Sequence, residues 1–127
     1  MKELKFRVWD KTDCKMYEVI SMGFLEPVGV YVKTGMFEGK PCGKYLHDNY
    51  ELMQYNGSKD IALKEEYDGD IVRDADGKIW QVSMGDTRGP TYIRLDIGEI
   101  VTAWDFLFTH VIIGNIYENP ELLKKVG

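Results

Sequence analysis

The stretch Tyr67-Asp68-Gly69-Asp70-Ile71-Val72-Arg73-Asp74-Ala75-Asp76-Gly77-Lys78-Ile79-Trp80-Gln81-Val82-Ser83 decides the fold. It reads as two short strands, residues 70–73 and 78–82, joined by an Asp-Ala-Asp-Gly tip. Gly77 is free to take a positive φ there, and the Asp side chains can accept hydrogen bonds from nearby backbone N–H groups. Ile71 and Arg73 alternate with Val72, and Ile79 and Gln81 alternate with Trp80 and Val82. This is the period of 2 of a sheet with one buried and one wet face. A lone hairpin of this size is marginal in water. Residues 91–96 and 109–117, rich in β-branched and aromatic side chains, are therefore expected to add strands to it.

The chain has 127 residues, enough for one domain or for two small subdomains sharing a core. Its 44% hydrophobic and 13% aromatic content argues against extended disorder. A formal charge of −5 gives no long-range field to attract a nucleic-acid backbone or an anionic membrane. The charge is uneven. Residues 1–50 carry 8 Lys/Arg against 7 Asp/Glu, whereas residues 51–127 carry 8 against 14. Six of those acids lie in residues 65–76 and read as a solvated edge and turn that discourage edge-to-edge pairing.

Cys14 and Cys42 are too few for a disulfide framework and have no C-x-x-C spacing. A zinc site would have to recruit His47 and His110 from scattered positions, so no metal or other cofactor is expected. The opening Met1-Lys2-Glu3-Leu4-Lys5 is not an apolar leader, and no apolar run approaches the about 18 residues of a membrane span. The expectation is a soluble cytoplasmic protein with reduced thiols and no membrane contact.

Along the chain, Leu4, Phe6 and Val8 alternate with Lys5, Arg7 and Trp9, which predicts a half-buried strand. A polar turn follows, and residues 16–20 return as a second strand, with Trp9 near the turn. Residues 28–33, after Pro27, form the next strand. In residues 34–49, Gly35, Gly39, Pro41 and Gly43 break the periodicity, so a mobile loop is expected with one short strand near Met36 and Phe37. Residues 50–55 read as extended and lead into Asn56-Gly57, a tight-turn dipeptide; residues 58–66 are polar. Thr102 is a candidate N-cap for a helical turn over residues 102–107. Gly114 marks a bulge or close approach in the strand at 109–117. Asn119-Pro120-Glu121 starts a short terminal helix. No solenoid repeat is visible.

Motifs that would carry chemistry fail on spacing. Aligning Asp76-Gly77 with the end of a calcium loop puts Val72 at the first ligand position and Ser83 where the closing Glu belongs. There is no phosphate-binding Gly-rich loop. His110, inside an apolar run, reads as a hydrogen-bonded structural residue, and His47 as exposed. Two alternatives to a contact protein stand. A small enzyme would build its site from scattered carboxylates. A small β-barrel binding nucleic acid would stack bases on Trp9, Trp80, Trp104, Tyr55 or Tyr92, although Arg73, Lys78, Arg88 and Arg94 sit among acids.

Three blocks together resemble the YopX-like family of small bacteriophage and prophage proteins. They are Lys5-Phe6-Arg7-Val8-Trp9-Asp10 followed by Met16, then Leu52-Met53-Gln54-Tyr55-Asn56-Gly57 leading to Tyr67-Asp68-Gly69-Asp70-Ile71-Val72, and finally the run from Val111 to Leu123. Residues 58–66 depart from the family's Gly-containing turn. The resemblance implies a two-part β protein with an SH3-type C-terminal barrel, no attached enzymatic activity, and a phage or prophage context in the bacterial cytoplasm. The fold expected is mostly β, with a small N-terminal β subdomain (1–49) and an SH3-like barrel (50–127) ending in a short helix. The function expected is non-enzymatic: an accessory protein acting by contact with a protein partner or with itself. Trp9, Asp10, Tyr55 and Asn56, at or beside turns, are the candidate contact residues.

Overall fold

The computed structural model describes residues 4–23, 29–84, 90–103, 105–106 and 108–124. They form eleven strands and one short helix: β1 (Phe6–Asp10), β2 (Lys15–Gly23), β3 (Gly29–Phe37), β4 (Lys40–Leu46), β5 (Tyr50–Lys59), β6 (Glu65–Tyr67), β7 (Asp70–Asp74), β8 (Ile79–Ser83), β9 (Thr91–Arg94), β10 (Ile100–Thr102), β11 (His110–Asn115) and α1 (Glu121–Lys124). All the strand pairings described are antiparallel. The chain divides after Met53, inside β5, into two compact units.

The C-terminal unit grows from the hairpin first read in the sequence. Ile71 faces Gln81, Val72 faces Trp80 and Arg73 faces Ile79. Gly77 sits at φ +84 in the tip. Asp74 Oδ1 accepts from the N–H groups of Asp76 and Lys78, each at 2.9 Å, as an Asp-led turn should. β8 alternates as expected, burying Trp80 and Val82. β7 does not: Ile71, Val72 and both flanking Asp residues are buried and only Arg73 is exposed, so this strand is covered on both faces. β9 and β10 add on one side, and β11 returns beside β7 with a bulge between Ile112 and Gly114. The order β10-β9-β8-β7-β11 is that of an SH3-type barrel, open between its end strands. Its core is Val72, Trp80, Val82, Tyr92 and Phe106, with Tyr92 and Phe106 stacked at 3.8 Å and Trp80 edge-on to Phe106 at 5.1 Å.

The other sheet has six strands in the order β4-β3-β2-β1-β5-β6, and its first five show the same plan, four consecutive antiparallel strands with the fifth beside the first; β5 is shared between the two units and β6 belongs to the C-terminal one. Val8, Val30, Val32 and Leu46 form the buried cluster of the N-terminal unit. Asp10 ends β1 as Asp74 ends β7, and each accepts the N–H two residues on. One five-strand order thus recurs in the two sheets, a likeness the side chains do not advertise.

Several local expectations are corrected. Leu4 is 73% exposed and precedes the first strand, so the alternating buried face begins at β1 and not at Leu4. Residues 34–49 are mainly a β-hairpin. β3 runs on to Phe37, and Phe37 pairs with Lys40 across the two-residue loop Glu38-Gly39. Both loop residues have positive φ, +50 and +78, the geometry of a hairpin turn matched to strand twist. The glycines that broke the periodicity serve the pairing, and Pro41 lies in β4, an edge strand where a missing N–H is tolerated. A Cβ on Gly43 would come within 2.2 Å of the Val32 carbonyl oxygen and 2.7 Å of the Tyr31 ring. Asn56-Gly57 is also no chain reversal. It lies within β5, with Gly57 at φ +89 and the β5–β6 register slipping between Tyr55 and Lys59. Gly114 is a bulge and a close approach together, because a Cβ there would meet the Asn119 side chain at 2.4 Å. Asn119 turns its amide oxygen back to the Asn115 N–H rather than capping α1. The N–H groups of Asp105 and Phe106 do close a turn on the Thr102 carbonyl. Pro27, Val28, Arg88, Trp104 and Leu107 lie outside the described residues. Among the described residues no helix is long and apolar enough to cross a membrane.

Candidate functional site

Within the C-terminal unit, the segment from β5 to β6 turns at residues 60–64, and a single carboxylate organises it. Asp60 is buried. Its Oδ1 accepts from the N–H groups of Ala62 and Lys64, and its Oδ2 from that of Ile112 in β11, all at 2.9 Å. The backbone closes the same turn: Asp60 N–H donates to the Lys64 carbonyl, Leu63 N–H to the Asp60 carbonyl and Ile61 N–H to the His110 carbonyl. Burial pushes the Asp60 carboxyl upward, but the three N–H donors outweigh it and hold it below the usual carboxylate range. Every amide from Asp60 to Lys64 is thus bonded although the turn stands at the surface.

The turn carries two apolar side chains outward. Ile61 is 67% exposed and Leu63 77%. Leu63 also sits at φ +64, a left-handed conformation costing a branched L-residue roughly 1–2 kcal/mol. Strain of that size persists only where the surroundings over-determine the backbone, as the bonds around Asp60 do here.

Beside the turn, β11 begins at His110, whose ring closes a buried polar cluster. Glu66 of β6 is fully buried. Its Oε1 accepts from Tyr92 Oη–H at 2.6 Å and Asn56 Nδ2–H at 3.1 Å, while its Oε2 is bonded to His110 Nε2. His110 Nδ1 lies 2.9 Å from the Phe108 carbonyl oxygen, which only an N–H can satisfy. A doubly protonated ring donates to both the Phe108 carbonyl and the Glu66 carboxylate, and the adjacent carboxylate favours that form. Burial lowers the His110 pKa, but the bond to Glu66 raises it by more. Burial raises that of Glu66, and the donors from His110 and Tyr92 bring it below its ordinary value. Burial and the adjacent carboxylate push Tyr92 upward, keeping it a protonated donor.

The candidate contact residues are dispersed. Trp9 is half-buried on β1, opposite Met16. Asp10 is buried, accepting from Thr12 N–H and pairing with Lys44 at 3.3 Å; Lys44 also pairs with Asp13. Tyr55 is buried with its ring 5.7 Å from that of Tyr67. Asn56 is buried in the Glu66 cluster, its Oδ1 accepting from Ser58 N–H. Trp80 and Tyr92, considered above as stacking platforms, are core residues, and Trp80 Nε1–H donates to Asp74 Oδ2 at 2.9 Å. Asp60, Ile61, Leu63 and Glu66 escaped sequence reading because their segment looked uniformly polar. The available signal was Ile61 and Leu63 themselves, two large apolar residues in a stretch with no core face to occupy. Among the described residues no group of three or more His, Cys, Asp or Glu is placed to hold a metal ion.

Comparison with known proteins finds both a family and a solved structure that this chain is similar to. The family model described as YopX protein matches residues 5–124. The crystal structure of protein EF1440 from Enterococcus faecalis is similar with a TM-score of 0.63 and 25% sequence identity, covering 97% of this chain and 99% of that one. Among curated proteins none matches.

Proposed function

The chain belongs to the YopX protein family, and from that premise we propose that it is a non-enzymatic phage or prophage accessory protein of the bacterial cytoplasm that works by contact with another protein. The observation that carries this reading is the turn at residues 60–64. A solvated linker has no use for a strained leucine held outward by a buried carboxylate, whereas a rigid apolar tip is what a protein interface uses as an anchor. Pre-ordering the tip removes the entropy that binding would otherwise have to supply, about 0.5–1.5 kcal/mol per immobilised side chain. The Glu66–His110 cluster supports the tip from behind, since the His110 carbonyl receives the Ile61 N–H.

A photoreactive side chain placed at Leu63 in cells that produce the protein tests this reading. A cross-linked protein is expected at Leu63 and not at Glu18, an exposed position in β2. Equal capture at both sites, or none at Leu63, would overturn the assignment.

A further inference from the structure

A second exposed apolar surface on the same unit answers the tip in charge. Lys59 and Lys64 flank Ile61 and Leu63, and all four are exposed; with Glu65 opposite Lys59 across the β5–β6 pairing, the rim carries two cations against one half-buried acid. The turn between β9 and β10 is the converse. Ile97 and Ile100 are 63% and 59% exposed, with the acids Asp96 and Glu99 beside them. Asp96 is spoken for by Arg94, whose Nε lies 2.7 Å from it. Glu99 has a surface carboxylate with no ion pair among the described residues, and its backbone carbonyl receives the Arg94 N–H, which fixes the turn that carries it. Gly98, at φ +72, makes that turn tight.

Resting on the reading of residues 60–64 as a contact tip, we infer that its partner is a second copy of this chain, the tip of one copy seating on the β9–β10 turn of the next. Apolar residues meet apolar residues, and the two lysines at the rim approach Glu99. A chain of formal charge −5 thereby gains one orientation in which copies attract. The two patches belong to opposite ends of the strand order: the tip is bonded to β11, and β10 is the other end strand. The contact is therefore heterologous, and a copy that has given its tip still offers its own β9–β10 turn.

Sedimentation velocity of the full chain at rising concentration tests this. The wild type is expected to show a concentration-dependent rise in sedimentation coefficient. Lys59→Glu with Lys64→Glu should weaken association about tenfold, and Glu99→Lys should do the same, since each puts like charges at the contact. An equimolar mixture of the two variants should recover association to within about threefold of wild type, because the acidic tip of one then faces Lys at position 99 of the other. A wild-type chain that remains monomeric while Leu63 still cross-links to a different protein would overturn the second-copy inference and leave the contact tip standing. A chain that remains monomeric with no cross-link at Leu63 would overturn both. Association unchanged in both charge variants would overturn the assigned surfaces.

Discussion

Asp74 and the Glu66–His110 pair show how much of this molecule rests on single buried carboxylates. Asp74 receives three N–H groups, one of them the Trp80 indole in the core. Asp74→Ala would leave that indole without its acceptor and unpin the hairpin tip, so a loss of about 3 kcal/mol is expected in urea denaturation. The His110–Glu66 pair makes stability depend on pH from two sides. The His110 pKa is raised on folding, so its contribution is complete below its ordinary value of 6.5 and is lost as pH rises through the folded value. The Glu66 pKa is lowered, so its contribution is complete above 4.5 and is lost as pH falls through the folded value. Melting temperature should therefore be highest between these values and decline on the alkaline side. His110→Gln should abolish that alkaline decline, and at pH 6 it should cost about 3–5 kcal/mol by leaving the Glu66 carboxylate buried without its partner. Asp60 and Asp74, both lowered, should preserve much of the acid limb in that variant.

At the scale of the element, the hairpins divide sharply in how far their sequences announced them. β7–β8 was legible because its tip, Asp-Ala-Asp-Gly, uses turn chemistry with one reading and β8 alternates, although β7 proved to be covered on both faces. β3–β4 was not, because Gly35, Gly39, Pro41 and Gly43 are loop-forming residues in isolation and only the partner strand gives them their purpose. Gly43 is there because Tyr31 and the Val32 carbonyl occupy the space a side chain would need. Gly43→Ala should accordingly destabilise the chain by about 1–3 kcal/mol through overpacking against backbone that cannot yield. Glu38 holds a left-handed conformation that suits Asn better, so Glu38→Asn should raise stability by roughly 0.5–1 kcal/mol. Both changes are readable as shifts of the urea midpoint. The turn at residues 60–64 escaped notice for a related reason. Its organiser, Asp60, bonds to Ile112 some fifty residues away, and no local pattern reports such a partner.

For the whole molecule, one five-strand order recurs in the two sheets, while charge separates the two halves of the chain. The N-terminal unit is nearly neutral, whereas the acids concentrate in residues 51–127, where a basic apolar tip stands out against them. To act as a contact, that tip must be a fixed part of the sheet structure rather than a solvated linker. Leu63→Asp should leave melting unchanged to within about 1 kcal/mol, since the side chain is 77% exposed, yet it should abolish association. The most direct test is native-state amide hydrogen exchange at residues 61–64 in the full chain. Exchange at Ile61, Ala62, Leu63 and Lys64 as slow as in the flanking strands β5 and β11 is predicted, and rapid exchange at these four, typical of an open loop, would contradict it.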